Sequence, residues 1–176
     1  MKIRAFVLIL AIFIVPISAY CTEKLESLEA METRYGLVSM GQGKYTLSNI
    51  VYFNKKKLPV DEGSGHSIKK KWVIGSKDIL LVSEYSGGNA CPANYFFLIV
   101  TKNQIVISEI FGNCSEMPEI SRIKDTILVK FPRGSRYAPA ETVQYDNGKA
   151  YGMIKRIING KMVANPGELK MKTIDF

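Results

Sequence analysis

The sequence predicts an all-β domain, an antiparallel sandwich or barrel-like meander preceded by a short N-terminal helix. Three observations predict it. From Tyr35 onward, turn residues recur at intervals of about 8–12 positions, and no second helical run interrupts them. Asp146-Asn147-Gly148 sits between two β-rich runs, one of the stronger short-range hairpin signals. Cys91 and Cys114 lie at equal distances from a polar break at Lys102-Asn103, the arrangement of a hairpin stapled at its open end.

Residues 1–19 read as a signal peptide and stand outside the fold. Lys2 and Arg4 precede an unbroken apolar run from Ala5 to Val15, and Pro16-Ile17-Ser18-Ala19 supplies a helix break and small residues. The run is too short to span a bilayer, which needs about 20 residues. Cleavage after Ala19 fits best and after Cys21 next best. A lipid anchor on Cys21 fits less well, because bulky Tyr20 stands where a small residue belongs. Residues 20–34 read as a helical leader: Thr22 caps, Glu23 and Glu26 occupy the first turn, and Leu25, Leu28 and Met31 form one stripe.

Residues 35–176 form a single β domain. Tyr35–Met40 and Tyr45–Phe53 are its first strand runs, with Gly41-Gln42-Gly43 between them. Asn54 to Lys71 loses all periodicity and reads as a loop or frayed hairpin carrying two lysine triplets. Trp72–Ile74 and Ile79–Tyr85 are the next strands. The stapled hairpin follows, entered through Ser86-Gly87-Gly88-Asn89-Ala90. Further strands are read at Ile120–Ile123, Thr126–Phe131, Thr142–Tyr145 and Ala150–Ile158. Asn159-Gly160 and Asn165-Pro166-Gly167 mark turns, and Leu169, Met171 and Thr173 alternate on a closing strand.

With Lys102-Asn103 as a two-residue turn, residues whose numbers sum to 205 face each other. Tyr95, Phe97 and Ile99 then lie on one face, and Phe96, Leu98 and Val100 on the other. Both faces are apolar, so the hairpin belongs in the middle of the structure. Closing its loop of about 24 residues is worth roughly 3 kcal/mol in the chain-entropy model. This register puts the cysteines at a hydrogen-bonded pair, where the strands stand farther apart, and so it predicts an irregularity near Pro92. It also puts Glu109 on an oily face.

GGNACPA followed by a strand pair and FGNCS resembles a pattern in exported proteins of Gram-negative bacteria to which no activity is assigned. The resemblance covers roughly residues 82–131. It implies a periplasmic address and a β fold, and nothing about mechanism.

The net charge is +8, falling to +6 when Lys2 and Arg4 leave with the signal. That is basic without being extreme, and both signs occur throughout. Lys55-Lys56-Lys57 and Lys69-Lys70-Lys71 are a candidate anion patch should the two triplets converge. They lack the interleaved aromatics of a nucleic-acid stacking platform, which argues against such a partner. No second apolar run reaches membrane length, so the mature chain is not read as an integral membrane protein. An even cysteine pair suits an oxidising compartment.

Catalytic chemistry is not legible. One histidine, His66 in a GSGHS context, cannot build a zinc site with cysteines that are spent on each other, and it reads as a solvated loop residue. No nucleophile elbow and no phosphate-binding glycine pattern is present. No metal and no cofactor is implied. Asp61, Glu62, Glu84, Glu109 and Asp125 could supply a carboxylate pair, but spacing selects none. The reading that follows is an exported, non-catalytic binding protein of the periplasm or cell exterior. Its partner would be a protein or envelope component, and inhibitor or immunity roles belong to this class. Gly87, Gly88, Asn89 and Glu109 are its candidate binding residues. The alternatives are an envelope hydrolase using carboxylates near Glu84 or Glu109, and an adhesion module for anionic surfaces.

Overall fold

The computed structural model describes residues 29–43, 48–61, 64–85, 91–132, 140–158 and 161–175. The expected signal peptide, most of the expected leader and the Gly87-Gly88-Asn89 entry lie outside these residues. The described residues are all-β, in three open antiparallel sheets, so the barrel alternative is not what forms. A small sheet runs β1 (Ala30–Thr33), β2 (Gly36–Gln42), β3 (Asn49–Phe53) and β4 (Lys56–Lys57). The central sheet uses β5 (Gly65–Ile74), β6 (Lys77–Tyr85), β7 (Asn94–Val100) and β8 (Gln104–Ser108). Its order is β14-β8-β7-β6-β5, because the last strand, β14 (Met171–Asp175), returns to pair with β8. The third sheet is a meander of β9 (Glu119–Ile123), β10 (Thr126–Phe131), β11 (Glu141–Asp146), β12 (Lys149–Ile158) and β13 (Lys161–Glu168).

Two separate cores put the central sheet in the middle. Ile79, Leu81, Tyr95, Phe97 and Ile99 pack with Ile127, Val129, Phe131, Val143 and Tyr145 of the third sheet. Leu80, Val82, Phe96, Leu98 and Val100 point the other way, onto Val38, Val51, Phe53 and Leu58 of the small sheet and its continuation. Strict alternation along β6 and β7 thus feeds two cores from one hairpin. The stapled hairpin is central, as its two oily faces require.

The chain corrects several sequence expectations. Ala30–Thr33, the last turn of the expected helix, is a strand paired with β2. A three-turn helix with one apolar stripe is marginal alone, and an open sheet edge offers backbone partners instead. Lys69-Lys70-Lys71 lie in a strand, not in a loop. Their periodicity is hidden because Ile68 faces Val82 while Lys70 faces Leu81, leaving Lys69 as an extra residue. The bulge reverses phase: Ile68 joins the small-sheet core, whereas Trp72 and Ile74 join the other. Asn165-Pro166-Gly167 is part of β13 rather than a turn; β13 is an edge strand, where proline is tolerated.

The stapled hairpin carries a second bulge. Leu98, Ile99 and Val100 face Ile107, Val106 and Ile105 in the expected register, but Tyr95 faces Phe111 rather than Ile110. One extra residue lies between Ser108 and Ile110, and the Ser108 Oγ accepts the Phe97 N–H at 2.8 Å in place of a ladder carbonyl. This bulge lies nearer the turn than the irregularity expected near Pro92, which itself stands outside β7. It turns Phe111 into the core shared with the third sheet, opposite to Ile107. Gly112 then leaves the ladder at φ 109°, where a Cβ would press on the Tyr95 and Phe131 rings at 3.3–3.4 Å. Cys114 follows at φ 69° and bonds Cys91, with the two Cα atoms 4.6 Å apart.

A polar clamp holds the small sheet on the central one. Asp78 is fully buried and accepts the Arg34 Nε at 2.6 Å and the Arg34 backbone N–H at 2.7 Å. Arg34 also donates to the Gly75 carbonyl at 3.0 Å, and the Tyr35 hydroxyl donates to the Ser76 carbonyl at 2.6 Å. The β1–β2 turn is thereby tied to the β5–β6 turn.

Replacing both Cys91 and Cys114 by serine should cost about 2–4 kcal/mol in urea unfolding, and an unchanged midpoint would show that the staple stabilises nothing. Alkaline pH probes the packing between the sheets. Tyr145 is buried there, and burial pushes its hydroxyl up to about 12, with Asp146 adding to the rise and a Gly148 backbone hydrogen bond opposing it. The phenol of an unfolded chain ionises near pH 10. Full stability is therefore present below that pH and falls as pH rises to about 12, because the unfolded chain loses the proton first. Tyr145→Phe should flatten this alkaline decline; the same slope in both proteins would refute the assignment.

Candidate functional site

Two strands of the central sheet carry polar residues into a face that is otherwise oily. On β6, Leu80, Val82 and Glu84 share one face, and on β5, Ile68 and His66 share it. His66 and Glu84 are opposed cross-strand partners, and each is only 5% exposed. They line a cleft of about 590 Å³ at the end of the central sheet. Phe96, Ile107 and Met171 supply apolar lining from the sheet, and Pro59 and Val60 supply it from the segment after β4. Asp61, Glu109, Lys170 and Lys172 also line it. A second, smaller cleft of about 260 Å³ shares His66 and Glu84 and includes Lys69, Tyr95 and Glu116.

The polar cluster is organised from β3. The Asn49 side chain bridges the His66 backbone: its Oδ1 accepts the His66 N–H, and its Nδ2 donates to the His66 carbonyl at 2.8 Å. The Asn49 carbonyl lies 2.9 Å from His66 Nδ1. A carbonyl can only accept, so Nδ1 carries the hydrogen and Nε2 is the nitrogen left for other partners. The ring stands edge-on to Phe96, with centroids 5.9 Å apart.

Ser64 is 1% exposed and donates its hydroxyl to Glu84 Oε1 at 2.7 Å; Asp61 Oδ2 is a more distant neighbour at 3.4 Å. Glu84 Oε2 is buried and has no hydrogen-bond partner among the described residues. A carboxylate oxygen can only accept, and leaving it unserved costs about 1–3 kcal/mol.

Glu109 is placed by the second bulge. Its N–H donates to the Lys170 carbonyl at 2.7 Å, and its Oε2 accepts the Lys170 N–H at 3.3 Å. It is exposed and points along the cleft wall rather than into oil, which accounts for an acid on this strand. Glu84 and Glu109 therefore border one cleft, with Asp61. Asp125 is elsewhere, paired with Arg122 at 3.7 Å beside the β9–β10 turn. Glu62, Gly87, Gly88 and Asn89 lie outside the described residues.

The two lysine triplets stand on different elements, one at β4 and the other within β5. Lys55, Lys56 and Lys57 are exposed, and Lys56 shares a separate hollow with Lys102, Tyr35 and Ile174. Lys71 donates to the Glu32 carbonyl at 2.6 Å, so it touches β1, which the sheet order separates from β4 by two strands. Lys70 lies over the Trp72 ring at 5.8 Å. Lys69 is half-buried, and that burial lowers its pKa against the opposing pull of Glu116.

His66 is the site residue that sequence reading misplaced, as a solvated loop histidine; Ser64 it did not single out. The available signal was phase. His66 falls in step with Ile68, and Glu84 with Leu80 and Val82, on faces that must be buried. Among the described residues, no three His, Cys, Asp or Glu side chains gather as a metal site. No described helix is long and apolar enough to cross a membrane. Compared with known protein families, curated proteins and solved structures, the chain matches none.

Ser64→Ala removes the one side-chain donor seen on Glu84 and should destabilise the protein by about 1–3 kcal/mol in urea. In a Glu84→Met background the same change should cost well under half as much, and equal costs in both backgrounds would show that the pair is not coupled.

Proposed function

We propose that the chain is an exported binding protein that acts without turnover, and that the cleft floored by His66 and Glu84 is where it binds. The single observation that carries this reading is Glu84, a buried carboxylate that lines the cleft and has one oxygen, Oε2, unserved among the described residues. Buried polar atoms in folded proteins are nearly always paired, so an orphan on a residue that lines a cleft singles out that cleft. The volume falls within the range of small-molecule sites, which combine apolar walls with a few convergent polar groups. The signal-like N-terminus and the Cys91–Cys114 disulfide suit the periplasm or cell exterior. An envelope component is the partner class that fits such an address.

The test is native mass spectrometry of the full chain expressed with its own signal and purified from the envelope fraction. A bound mass that denaturation releases, and that Glu84→Leu protein lacks, is the expected result. Recovery of the protein solely from the cytoplasm, or ligand-free spectra throughout, would overturn the reading.

One observation favours a second reading, hydrolysis of an envelope substrate. Asp61, Glu84 and Glu109 border one cleft with His66, and juxtaposed carboxylates are the raw material of acid–base catalysis. Turnover of a glycan, ester or peptide substrate that Glu84→Gln abolishes would establish hydrolysis in place of simple binding.

A further inference from the structure

Lys56 of the β4 triplet lines a hollow apart from the His66–Glu84 cleft, with no lining residue in common. We infer that this hollow binds a small organic anion: a carboxylate or phosphate monoester on a short apolar body, its head held by Lys56 and Lys102 and its body against Phe53, Leu58 and Ile105.

The site is built where hairpins converge. Asn54-Lys55 turns β3 into β4 and brings Lys56, and Lys102-Asn103 turns β7 into β8 and brings Lys102. Tyr35 comes from the β1–β2 turn and Ile174 from β14. Phe53, Leu58 and Ile105, none of them more than 5% exposed, make the lining apolar. The hollow measures about 350 Å³, within the range of small-molecule sites.

Its charge is of one sign. Lys56 and Lys102 are exposed, and among the described residues no aspartate or glutamate lines the hollow beside them. Neither lysine has an ion pair or hydrogen bond among the described residues. In the larger cleft, by contrast, Asp61 and Glu109 offset Lys170 and Lys172. Asp175 follows Ile174, but alternation along β14 turns it to the other face. Arg34, whose guanidinium lies 5.4 Å from the centre of the Tyr35 ring, is committed to Asp78. An anion drawn towards a chain at +8 thus finds two lysines beside an apolar recess.

Both turns are fixed by the protein itself. The Asn54 N–H donates to the Leu37 carbonyl at 2.9 Å, and Asn54 Oδ1 accepts the Leu37 N–H at 2.8 Å. Thr101 spans the other turn: its N–H donates to the Gln104 carbonyl at 3.0 Å, and its Oγ1 accepts the Gln104 N–H at 3.2 Å. The first turn is also strained. Asn54 and Lys55 sit at φ 46° and 68°, as Asn147 and Gly148 sit at 45° and 91°. Glycine adopts that second position freely, whereas lysine is disfavoured there. Backbone strain held beside a cavity is a pointer to function.

The recess selects a free small molecule over a flat anionic membrane. A membrane surface would meet the lysines but leave Phe53, Leu58 and Ile105 uncovered.

The experiment is calorimetric titration of the full chain, exported and oxidised, with octanoate, octyl phosphate, n-octanol and n-octylamine. Sedimentation with phosphatidylglycerol vesicles runs beside it. At least one of the two anions should bind about tenfold more tightly than the alcohol, and the amine more weakly than the alcohol. Lys56→Met and Lys102→Met change exposed residues and keep the apolar stem, so both should fold. Each should weaken the anion about twofold to fivefold, and the double variant should remove the preference over octanol. Ile174→Ala should weaken anion and alcohol alike by about threefold and leave the preference intact. Lys172→Met, in the larger cleft, should change nothing. Octanol or octylamine binding as tightly as both anions would overturn the ligand class. Anion binding that survives the double variant, or that Lys172→Met abolishes, would overturn the site. Vesicle binding without binding of either free anion would replace the small ligand with a membrane, and binding of none of these probes would sink the inference. None of these outcomes touches the His66–Glu84 cleft, which the native mass spectrum tests separately.

Discussion

The structure depends on burying one sheet from both sides. β7 has six consecutive buried residues, Tyr95 to Val100, and β6 has seven, Asp78 to Glu84. Such strands cannot lie at a surface, and one covering layer would still leave half of their side chains in water. The small sheet and the third sheet exist in this arrangement because each hides one phase of the same hairpin. The return of β14 to pair with β8 closes the chain back onto the sheet that the other two enclose.

That constraint makes polar residues on the central strands informative. Three acidic or basic groups of β5 and β6 are buried, and each has its own account. Asp78 is compensated by Arg34 and fixes the small sheet in place. His66 is held by Asn49 through its backbone and ring. Glu84 is served on one oxygen only among the described residues. Buried charge is retained where it is paired or where it does something. Asp78 meets the first condition, and Glu84 does not meet it fully, which is why the cleft and not the clamp is the candidate site.

The two bulges connect fold to site. Each adds one residue to a strand flanking β6–β7 and reverses which core the following residues enter. Lys69 and the Ser108–Ile110 segment are the points of reversal, and both border the clefts that contain His66 or Glu84. A bulge interrupts side-chain cover as well as hydrogen bonding, so sheet edges re-aimed in this way leave hollows that regular strands would fill. The position of Glu109 and Ile110 at the cleft wall is a direct product of the second bulge.

Much of this was legible in the residues. The all-β class, the central hairpin with its two apolar faces, the Cys91–Cys114 pair and the turns at Lys102-Asn103 and Asn147-Gly148 all follow from local chemistry. Period-two alternation, turn dipeptides and cysteine placement are short-range signals, and they survive without knowledge of neighbours. What tertiary structure decided was everything that depends on which surfaces meet. Ala30–Thr33 became a strand because an edge was there to pair with. Lys69–Lys71 joined a sheet because a one-residue bulge absorbed the phase error. His66 and Glu84, eighteen positions apart, became neighbours by cross-strand register, and a GSGHS loop in the sequence became a buried cluster. Local sequence sets the alternation of a strand, but a one-residue slip inverts it, and only the packed sheets determine where such slips are tolerated and which polar group is left unserved beside a cleft.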